Sequence, residues 1–502
     1  MNNFLYLLNG FQNALTPANL IAAATGAFMG LVVGAIPGMG SLAGVSLLLP
    51  LTFKMNPTTA IIMLAAIYYA NMYGGSFSAI LLNIPGDASA VMTTLDGNKM
   101  AKKGKAGQAL FTAILSSFIG GTIGIILLTF LGPWLAQIGL SFGPAEVAAL
   151  ILLALTSLGW LLGGDPVKGL VSSGIGILLA TIGVDQAVGM PRFTFGSINL
   201  LSGINFIPLV IGMFGFSQVI DMVAMKGVKT NSGVEGKLTL RDSLLSKKEV
   251  KRVVPVALRE GFLGTFIGIL PGAGATTATF LCYIMEKRIN RNKKLIGQGT
   301  VEGIAAAEAA NNAASAGAFA PLLSLGIPGS GTTAVLLGGL MMWGLKPGPL
   351  LFTQNPDFVW GLISSMYVGN MICLAISLLL IPAMVHILRV PISVMIPLIS
   401  TICMVGAYSI SNNMFDVWLM LIAGIAAYMM SKHDFPIAPV LLAFVLAPRF
   451  EKSITQALDI SNGSFKIFVK SPIALGLLIL TVIFVILPMF FRKEKVGEKS
   501  NT

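Results

Sequence analysis

The chain has 502 residues, of which 55% are hydrophobic and only 10% are charged, and its mean hydropathy is +0.85. So few charged side chains cannot cover the surface of a water-soluble fold of this length, so the composition excludes a soluble globular protein and predicts a polytopic membrane protein. The net charge of +12 does not indicate nucleic-acid binding, because the basic residues gather in loops between apolar runs.

Apolar runs recur along the whole chain, and most approach the roughly 20 residues that a bilayer-spanning helix needs. These runs cover 18–36, 58–73, 108–131, 145–162, 167–188, 200–223, 254–270, 300–320, 357–385, 391–411, 415–431, 433–448 and 472–491. Shorter pieces, interrupted by glycine and proline, are expected to form re-entrant or broken segments; they cover 41–53, 76–94, 275–285 and 321–343. Residues 1–10 lack the basic cluster of a signal peptide, so we expect the amino end to be retained.

Basic loops predict the orientation in the membrane. Residues 98–107 carry four lysines and no acid, and residues 226–252 carry eight basic residues against three acidic ones. Residues 286–295 and the carboxyl-terminal tail are also basic. Because cytoplasmic loops are enriched in lysine and arginine, these segments are predicted to be cytoplasmic. The uncharged amino end is then periplasmic and the carboxyl end cytoplasmic.

Two kinds of Pro-Gly motif each occur twice in the chain. GAIPGMGSLAG (34–44) resembles GILPGAGATTA (268–278), and NIPGDASAV (83–91) resembles GIPGSGTTAV (326–335). KAGQALF and MPRF, which begin at 105 and 190, resemble KPGPLLF and APRF in the same order, at 346 and 447. The shared order predicts an internal duplication. The lysine-rich loop of the first half has only Lys346 as its counterpart, which favours halves of opposite orientation, as in many secondary transporters.

The predicted fold is therefore an all-α polytopic membrane protein with two inverted-topology repeats and broken or re-entrant helices. The first transmembrane repeat covers 1–225, and a basic cytoplasmic linker covers 226–253. The second repeat covers 254–450, and residues 451–502 form a final transmembrane helix and a basic tail.

The Pro-Gly motifs predict helix breaks at membrane depth. Proline removes a backbone donor, and irregular backbone is tolerated within the bilayer only where protein or a water-filled cavity surrounds it. The amino ends of broken helices attract anions, and the carbonyl ends can hold cations. Small hydroxyl residues beside the breaks can add ligands. The alternative reading is that glycine and proline only kink helices or let them pack closely.

Amide and acidic residues accompany the breaks in an apolar context, at Asn71, Asn83, Asp87, Glu308, Asn311 and Asn312. Polar residues at membrane depth are costly and are functional candidates by default. The alternatives are hydrogen bonding between helices for the amides and a wet interface for the two acids.

The long motifs around these residues resemble the large membrane subunit of the tripartite tricarboxylate transporters, the TctA family. The resemblance covers nearly the whole chain. It is carried by GAIPGMG, by YGGSFSAILLNIPGDASAVMTTLDGNKMAKKGKAGQAL, by GINFIPLVIGMFGFSQV, by GILPGAGATTATF, by EGIAAAEAANNAASAGAFAPLLSLGIPGSGTTAVLLGGLMMWGLKPGP and by SNGSFKIFVKSP.

The resemblance implies a secondary carboxylate transporter in the bacterial inner membrane, with a citrate-like di- or tricarboxylate as substrate. It implies uptake driven by an ion gradient, with Na⁺ or H⁺ as the coupling ion, and no other cofactor. It also implies two partners, a small membrane subunit with about four spans and a periplasmic solute-binding protein. An elevator-type mechanism follows by analogy with other carboxylate carriers.

Carried onto this sequence, the resemblance implies a substrate site at the four breaks. Its residues are Pro37, Gly38, Gly40, Ser41, Asn83, Pro85, Gly86, Ser89, Pro271, Gly272, Gly274, Thr276, Thr277, Pro328, Gly329, Ser330, Thr332 and Thr333. A candidate cation site contains Asn71, Asp87, Glu308, Asn311 and Asn312. No arginine or lysine lies inside these segments, which favours cation coupling because a buried multiply charged anion needs counter-charge.

Other classes of membrane protein remain as alternatives. A gated anion channel also uses broken helices, although duplicated inverted halves favour a carrier. A proton-coupled carrier of another organic acid is a second alternative. An intramembrane enzyme or an ATP-driven pump is disfavoured, because the chain contains no H-E-x-x-H, G-x-S-x-G or P-loop motif.

Overall fold

The computed structural model describes residues 2–161, 165–185, 189–224, 238–387 and 392–497. It is 81% helical. Its described strands are β1(Gly183–Val184) and β2(Pro191–Arg192), which form one short antiparallel pair. The prediction of an all-α polytopic membrane protein is confirmed. Among the described residues, seven helical stretches are long and apolar enough to cross a membrane, namely Pro17–Ala35, Pro57–Leu82, Ala88–Leu140, Phe206–Ala224, Pro356–Met384, Ser393–Ser411 and Met414–Lys432.

Several helices of the first half begin at polar or proline residues that suit a helix start. Asn56, for example, accepts a hydrogen bond from the amide of Thr58 and is followed by a proline. These helices are α1(Asn2–Ala14), α2(Pro17–Ala35), α3(Ser41–Leu48), α4(Pro57–Leu82), α5(Val91–Met100), α6(Ala106–Leu140), α7(Pro144–Leu161), α8(Pro166–Ala180), α9(Phe206–Val210) and α10(Ser217–Ala224). A π-helical turn, Ile211–Phe216, joins α9 to α10, and another, Ala101–Lys105, joins α5 to α6.

The second half repeats this arrangement of long helices and short interrupted ones. Its first long helix starts at a capping box formed by Ser246 and Glu249. The helices are α11(Leu240–Ser243), α12(Lys247–Ile269), α13(Gly274–Ile289), α14(Val301–Gly317), α15(Phe319–Leu325), α16(Gly331–Met342), α17(Leu351–Gln354), α18(Pro356–Ile387), α19(Ile392–Ser411), α20(Met414–Lys432), α21(Ala438–Ile460), α22(Lys466–Lys470) and α23(Pro472–Gly497).

Several predicted boundaries differ from the observed ones. The run 58–73 and the first part of the piece 76–94 form a single helix that ends only at Leu82, because the intervening glycines and serines pack against neighbouring helices. The run 167–188 ends as a helix at Ala180. The predicted domain boundaries at 253 and 450 fall inside α12 and α21. Residues 226–237 of the predicted linker lie outside the described residues.

The core is built around α4 and α14, whose residues are almost entirely buried. Glycines let a neighbouring helix approach each of them closely. In the first half, Gly30 and Gly34 of α2 lie on the backbone of α4 at residues 67 and 71, so α2 and α4 run parallel. In the second half, Gly264 and Gly268 of α12 lie on the backbone of α14 at residues 310 and 314, so these helices are also parallel.

The helix pair of one half runs against the helix pair of the other. On α5, Thr93 bonds to Glu308 and Asp96 bonds to Thr300, so α5 and α14 are antiparallel. Ser89, just before α5, bonds to Met72 of α4, and residue 98 of α5 bonds to residue 80 of α4. Because both contacts move toward the carboxyl ends together, α5 and α4 are parallel. Helix α4 is therefore antiparallel to α14.

Candidate binding site at the four helix breaks

The first crossing is formed by residues 36–41, which follow α2, and residues 83–89, which follow α4. Gly38 has a φ of 79°, and its amide donates to the carbonyl of Pro85 over 3.3 Å. Asn83 ends α4 in the left-handed conformation, with a φ of 60°. Gly86 lies so close to the carbonyl oxygen of Gly34 that a Cβ atom would overlap it. Proline and glycine thus bring two chain breaks into backbone contact.

The second crossing is formed by residues 270–277, which follow α12, and residues 326–333, which follow α15. Gly272 also has a φ of 79°, and its amide donates to the carbonyl of Gly329 over 3.1 Å. Gly326 ends α15 with a φ of 66°. A Cβ atom at Gly329 would lie 2.8 Å from the carbonyl oxygen of Gly268. The backbone geometry of the first crossing therefore recurs in the second.

Hydroxyl groups join the two crossings. Ser41 Oγ and Thr332 Oγ1 lie 2.9 Å apart, although these residues are far apart in the chain. The Tyr68 hydroxyl, from α4, lies 3.1 Å from Ser330 Oγ. Helix α13 packs against the short turn Ala88–Ala90 of the first crossing. All four Pro-Gly breaks predicted from the sequence are therefore brought together in one region.

The first crossing carries a carboxylate. Asp87 Oδ2 accepts from the Ser41 amide over 2.8 Å, and Oδ1 accepts from the amide and hydroxyl of Ser89 over 3.0 and 3.2 Å. The second crossing has Ser330 in the corresponding place, where its hydroxyl accepts from the amide of Thr333 at the start of α16. Thr276 and Thr277 lie in the first turn of α13. The two crossings thus differ in charge.

Several of the predicted amide side chains have buried polar atoms without a hydrogen-bond partner in the described part of the protein. These atoms include both side-chain polar atoms of Asn71 and Oδ1 of Asn312. Asn71 is fully buried on α4, and its amide nitrogen lies 3.2 Å from the position of a Cβ atom at Gly44 in α3. A buried amide without a partner is costly, and this one lies beside the first crossing, where its two polar atoms remain available for hydrogen bonding.

The two carboxylates of the predicted cation site bond to different partners. Glu308 is buried on α14 and accepts hydrogen bonds from Thr93 and, over 3.3 Å, from Ser117, whereas Asp87 bonds only within the first crossing. Asn311 and Asn312 follow Glu308 on the same helix. Within the described ranges there is no group of three or more His, Cys, Asp or Glu residues that could hold a metal ion. A cation here would need amide, hydroxyl and carbonyl oxygens as well as a carboxylate.

Sequence reasoning missed two charged residues near these breaks. Asp96 is fully buried and accepts from the amides of Gly297, Gly299 and Thr300 and from the Tyr283 hydroxyl, so it ties α5 to the start of α14. Its position in the polar stretch TTLDGNK gave no indication of burial.

Arg449 is the second charged residue that was missed, and its Nη1 donates to the Gly326 carbonyl over 3.2 Å. It belongs to the APRF motif, which was interpreted only as a repeat of MPRF. The two motifs differ in secondary structure, because MPRF includes strand β2 whereas APRF lies inside α21.

Comparison with known proteins gives a consistent result. A family model described as the tripartite tricarboxylate transporter TctA family matches residues 20–442. An uncharacterized 52.8 kDa protein of Agrobacterium vitis, described by its position in the TAR-I ttuC' 3' region, is 40% identical over 470 residues, which are 93% of either chain. A second A. vitis protein, from the TAR-II ttuC' 3' region, is 40% identical over 226 residues, which are 45% of this chain and 93% of that protein.

No solved structure matches the chain. The family match extends over most of the sequence and includes all four Pro-Gly breaks. Together with the long apolar helices, it makes the chain a multi-pass membrane component of a transporter and not an enzyme. The chain belongs to the tripartite tricarboxylate transporter TctA family.

Proposed function

We propose that the chain is a secondary active carrier that imports a citrate-like di- or tricarboxylate across the bacterial inner membrane, driven by a cation gradient, with Na⁺ as the coupling ion. The observation that carries this proposal is the repeated crossing geometry. Gly38 and Gly272 have the same φ, and each donates its amide to a carbonyl in the Pro-Gly pair of the partner break, at Pro85 and Gly329. A carrier needs one site that opens to either side, and two similar half-sites of opposite direction meet this need.

The packing of the helices supports an inverted repeat. The glycine contacts between α2 and α4 recur between α12 and α14. The corresponding residues are separated along the chain by the same intervals as the paired Pro-Gly motifs. Helices α4 and α14, however, run antiparallel. Two copies of one unit, related by an inversion of direction, account for both facts. In such carriers the substrate binds where the discontinuous helices of the two repeats meet.

The two crossings suit ligands of opposite charge. Helix α16 directs its amino end and the hydroxyls of Ser330, Thr332 and Thr333 toward the region between the crossings, which suits a carboxylate. The first crossing offers Asp87 and the unpaired amide of Asn71, which suit a cation. Binding both ions together lowers the cost of burying either one.

The proposal includes the other parts of a tripartite system. A small membrane subunit of about four spans and a periplasmic solute-binding protein assist this chain, and the binding protein delivers the substrate. The amino end lies in the periplasm and the carboxyl end in the cytoplasm, in agreement with the basic segments 98–107 and 286–295.

The test is uptake of radiolabelled citrate into proteoliposomes that contain this chain and its small membrane partner, with the binding protein outside. Uptake is measured with and without an inward Na⁺ gradient. Accumulation above the external citrate concentration, lost when the Na⁺ gradient is removed, is the expected result.

Two other results would contradict parts of the proposal. Accumulation that follows a pH gradient and ignores Na⁺ would indicate a proton-coupled carrier. Flux that never exceeds equilibration at any ion gradient would indicate a gated anion channel, because a channel cannot accumulate its substrate against a gradient.

A further inference from the structure

Four short helices leave the two crossings, and they fall into two pairs by direction. Helices α3 and α16 lead away from the basic loops, toward residues 49–57 and 343–350; we call them the outer arms. Helices α13 and α5 lead toward the basic loops and end at Lys287 and Arg288 and at Lys99; we call them the inner arms. In an inverted repeat, α3 corresponds to α13 and α16 corresponds to α5.

The outer arms are covered by helices from outside the crossings. Leu47 of α3 is buried, with a methyl group 2.8 Å from the position of a Cβ atom at Gly215 in the π-helical turn after α9. On α16, residues 332–340 are all buried. Gly338 lies directly on the ring of Phe206 in α9, and Ala438 of α21 lies 3.3 Å from the Cβ position of Gly331.

The inner arms lack this cover. Phe280 and Leu281 of α13 are 48% and 47% exposed, although Leu281 corresponds to the buried Leu47 in the paired motifs. Val91 and Leu95, one turn apart on α5, are 42% and 41% exposed. In the described part of the chain, α5 and α13 pack on α4, α6, α12 and α14, and neither forms an extended contact with α9, α10 or α21.

The exposed apolar face of the inner arms is not explained by lipid contact alone, because the equivalent face of the outer arms is covered. The covering helices themselves correspond in pairs. Pro208 and Pro439 stand in the first turns of α9 and α21, and Gly215 and Leu446 lie at the same distance after these prolines. The outer arms therefore contact the covering helices, whereas the inner arms, which carry the corresponding residues, do not make the equivalent contact in this structure.

Resting on the proposed carrier function, we propose that the exposed face of α13 and α5 is the docking surface for α21 and the α9–α10 stretch in the opposite transport state. The covering helices hold the outer arms here, so the crossings are closed toward the periplasm and the inner arms are free on the basic, cytoplasmic side. The structure is thus the inward-facing state. In the outward-facing state, Leu281 packs against Leu446 of α21 as Leu47 packs against Gly215 here.

Cysteine cross-linking tests the exchange of contacts. The three native cysteines, Cys282, Cys373 and Cys403, are free and buried, and they are replaced first to give a cysteine-free parent. Two pairs are then introduced, Leu47→Cys with Gly215→Cys for the observed state, and Leu281→Cys with Leu446→Cys for the opposite one. Oxidation is carried out in membrane vesicles, with and without Na⁺ and citrate, and disulfides are scored by gel mobility.

Both pairs are expected to form disulfides, because each state brings one pair within disulfide reach. Each disulfide is expected to lower uptake at least tenfold, and reduction is expected to restore it. A control pair, Gly261→Cys with Ile123→Cys, links α12 to α6, where the Ile123 Cβ atom lies 3.7 Å from the Cβ position of Gly261. This control disulfide is expected to leave uptake unchanged.

Two results would overturn the inference. One is full uptake by protein that is completely cross-linked between positions 47 and 215. The other is a 281–446 pair that forms no disulfide under any of the conditions. The second result is read without any transport assay, so it is distinguishable from a failure of the proposed substrate or coupling ion, which would instead leave the cysteine-free parent without citrate uptake.

Discussion

The first crossing has an acidic side chain in a place where the second crossing has a hydroxyl, although their backbones are alike. Gly38 and Gly272 share one left-handed conformation, and each donates its amide to the Pro-Gly pair of the partner break. Asp87 accepts three hydrogen bonds in the first crossing, whereas Ser330 caps α16 in the second.

The contrast between Asp87 and Ser330 shows that the backbone and the side chains make separate contributions to the two crossings. The paired breaks provide free helix ends in both halves, which is the general condition for binding an ion at membrane depth. The side chains then give each crossing its own charge preference. A variant that damages the shared backbone should abolish transport, whereas a variant that changes one side chain should alter one ligand only.

The largest effect is expected from Gly86→Ala, because the new methyl group would overlap the carbonyl oxygen of Gly34. Citrate uptake should fall to background even in protein that still inserts into the membrane. Gly174→Ala in α8 is the control, since nothing lies within 4 Å of its Cβ position. Uptake per amount of monodisperse protein, measured by fluorescence-detected size exclusion, checks the prediction. Equal activity of the two variants would contradict the close contact at Gly86.

The next largest effect is expected from Asp96→Asn, and it should be an effect on stability. The buried carboxylate accepts three backbone amides at the start of α14, and a neutral amide cannot accept them equally well. We expect a loss of about 3 kcal/mol, since hydrogen bonds to charged groups contribute roughly 1.5–3 kcal/mol each. Thermal unfolding in detergent measures it. An unchanged melting temperature would show that Asp96 does not hold α5 to α14.

A smaller effect is expected from breaking the hydrogen bond between the crossings. Ser41→Ala and Thr332→Val each remove one partner of the 2.9 Å contact. A double-mutant cycle on the apparent affinity for citrate should give a coupling energy of about 1 kcal/mol, the usual worth of one such bond. Ser117→Ala combined with Thr332→Val is the control pair, because Ser117 bonds to Glu308 instead. Strict additivity for Ser41 and Thr332 would show that the crossings are not coupled through this contact.

The smallest effect is expected at the start of α12, where the second half has a capping box and the first half has none at α2. Burial acts to raise the pKa of Glu249, but hydrogen bonds from Ser246 and the positive charges of Lys105 and Arg252 outweigh it and lower the pKa. Its stabilisation is therefore present at neutral pH and is lost as the pH falls through the lowered pKa. Glu249→Gln should cost about 0.5 kcal/mol at pH 7. The difference in melting temperature between Glu249→Gln and wild type should be full at pH 7 and should shrink as the pH falls below the ordinary glutamate pKa of 4.5, and a difference that does not shrink would contradict this account.

Much of the fold could be predicted from the sequence because its main determinants are local. Apolar runs indicate bilayer spans, and Pro-Gly pairs indicate helix breaks. The breaks at 37 and 271 therefore lie where they were expected. Helix ends were less predictable. The stretch of α4 around Gly74 and Gly75 looks like a break in the sequence, but it stays helical because these glycines face α2 and the first crossing.

The contacts of the site could be predicted only in part. The four breaks were expected to meet, but the pairing of Ser41 with Thr332 depends on how the halves pack and leaves no local pattern. Arg449 escaped notice for the same reason, since it reaches Gly326 from a helix more than 100 residues later in the chain. Long-range contacts of this kind are set by helix packing and not by sequence spacing.

The most direct test of the central claim, that one crossing holds the cation and the other the carboxylate, is Na⁺-dependent thermal stabilisation of purified wild type, Asp87→Asn and Ser330→Ala. A ligand at 100 times its dissociation constant stabilises the folded state by about 2.7 kcal/mol. We expect Na⁺ to raise the melting temperature of wild type and Ser330→Ala, and not that of Asp87→Asn. Equal stabilisation of all three proteins would contradict the assignment of the cation to the first crossing.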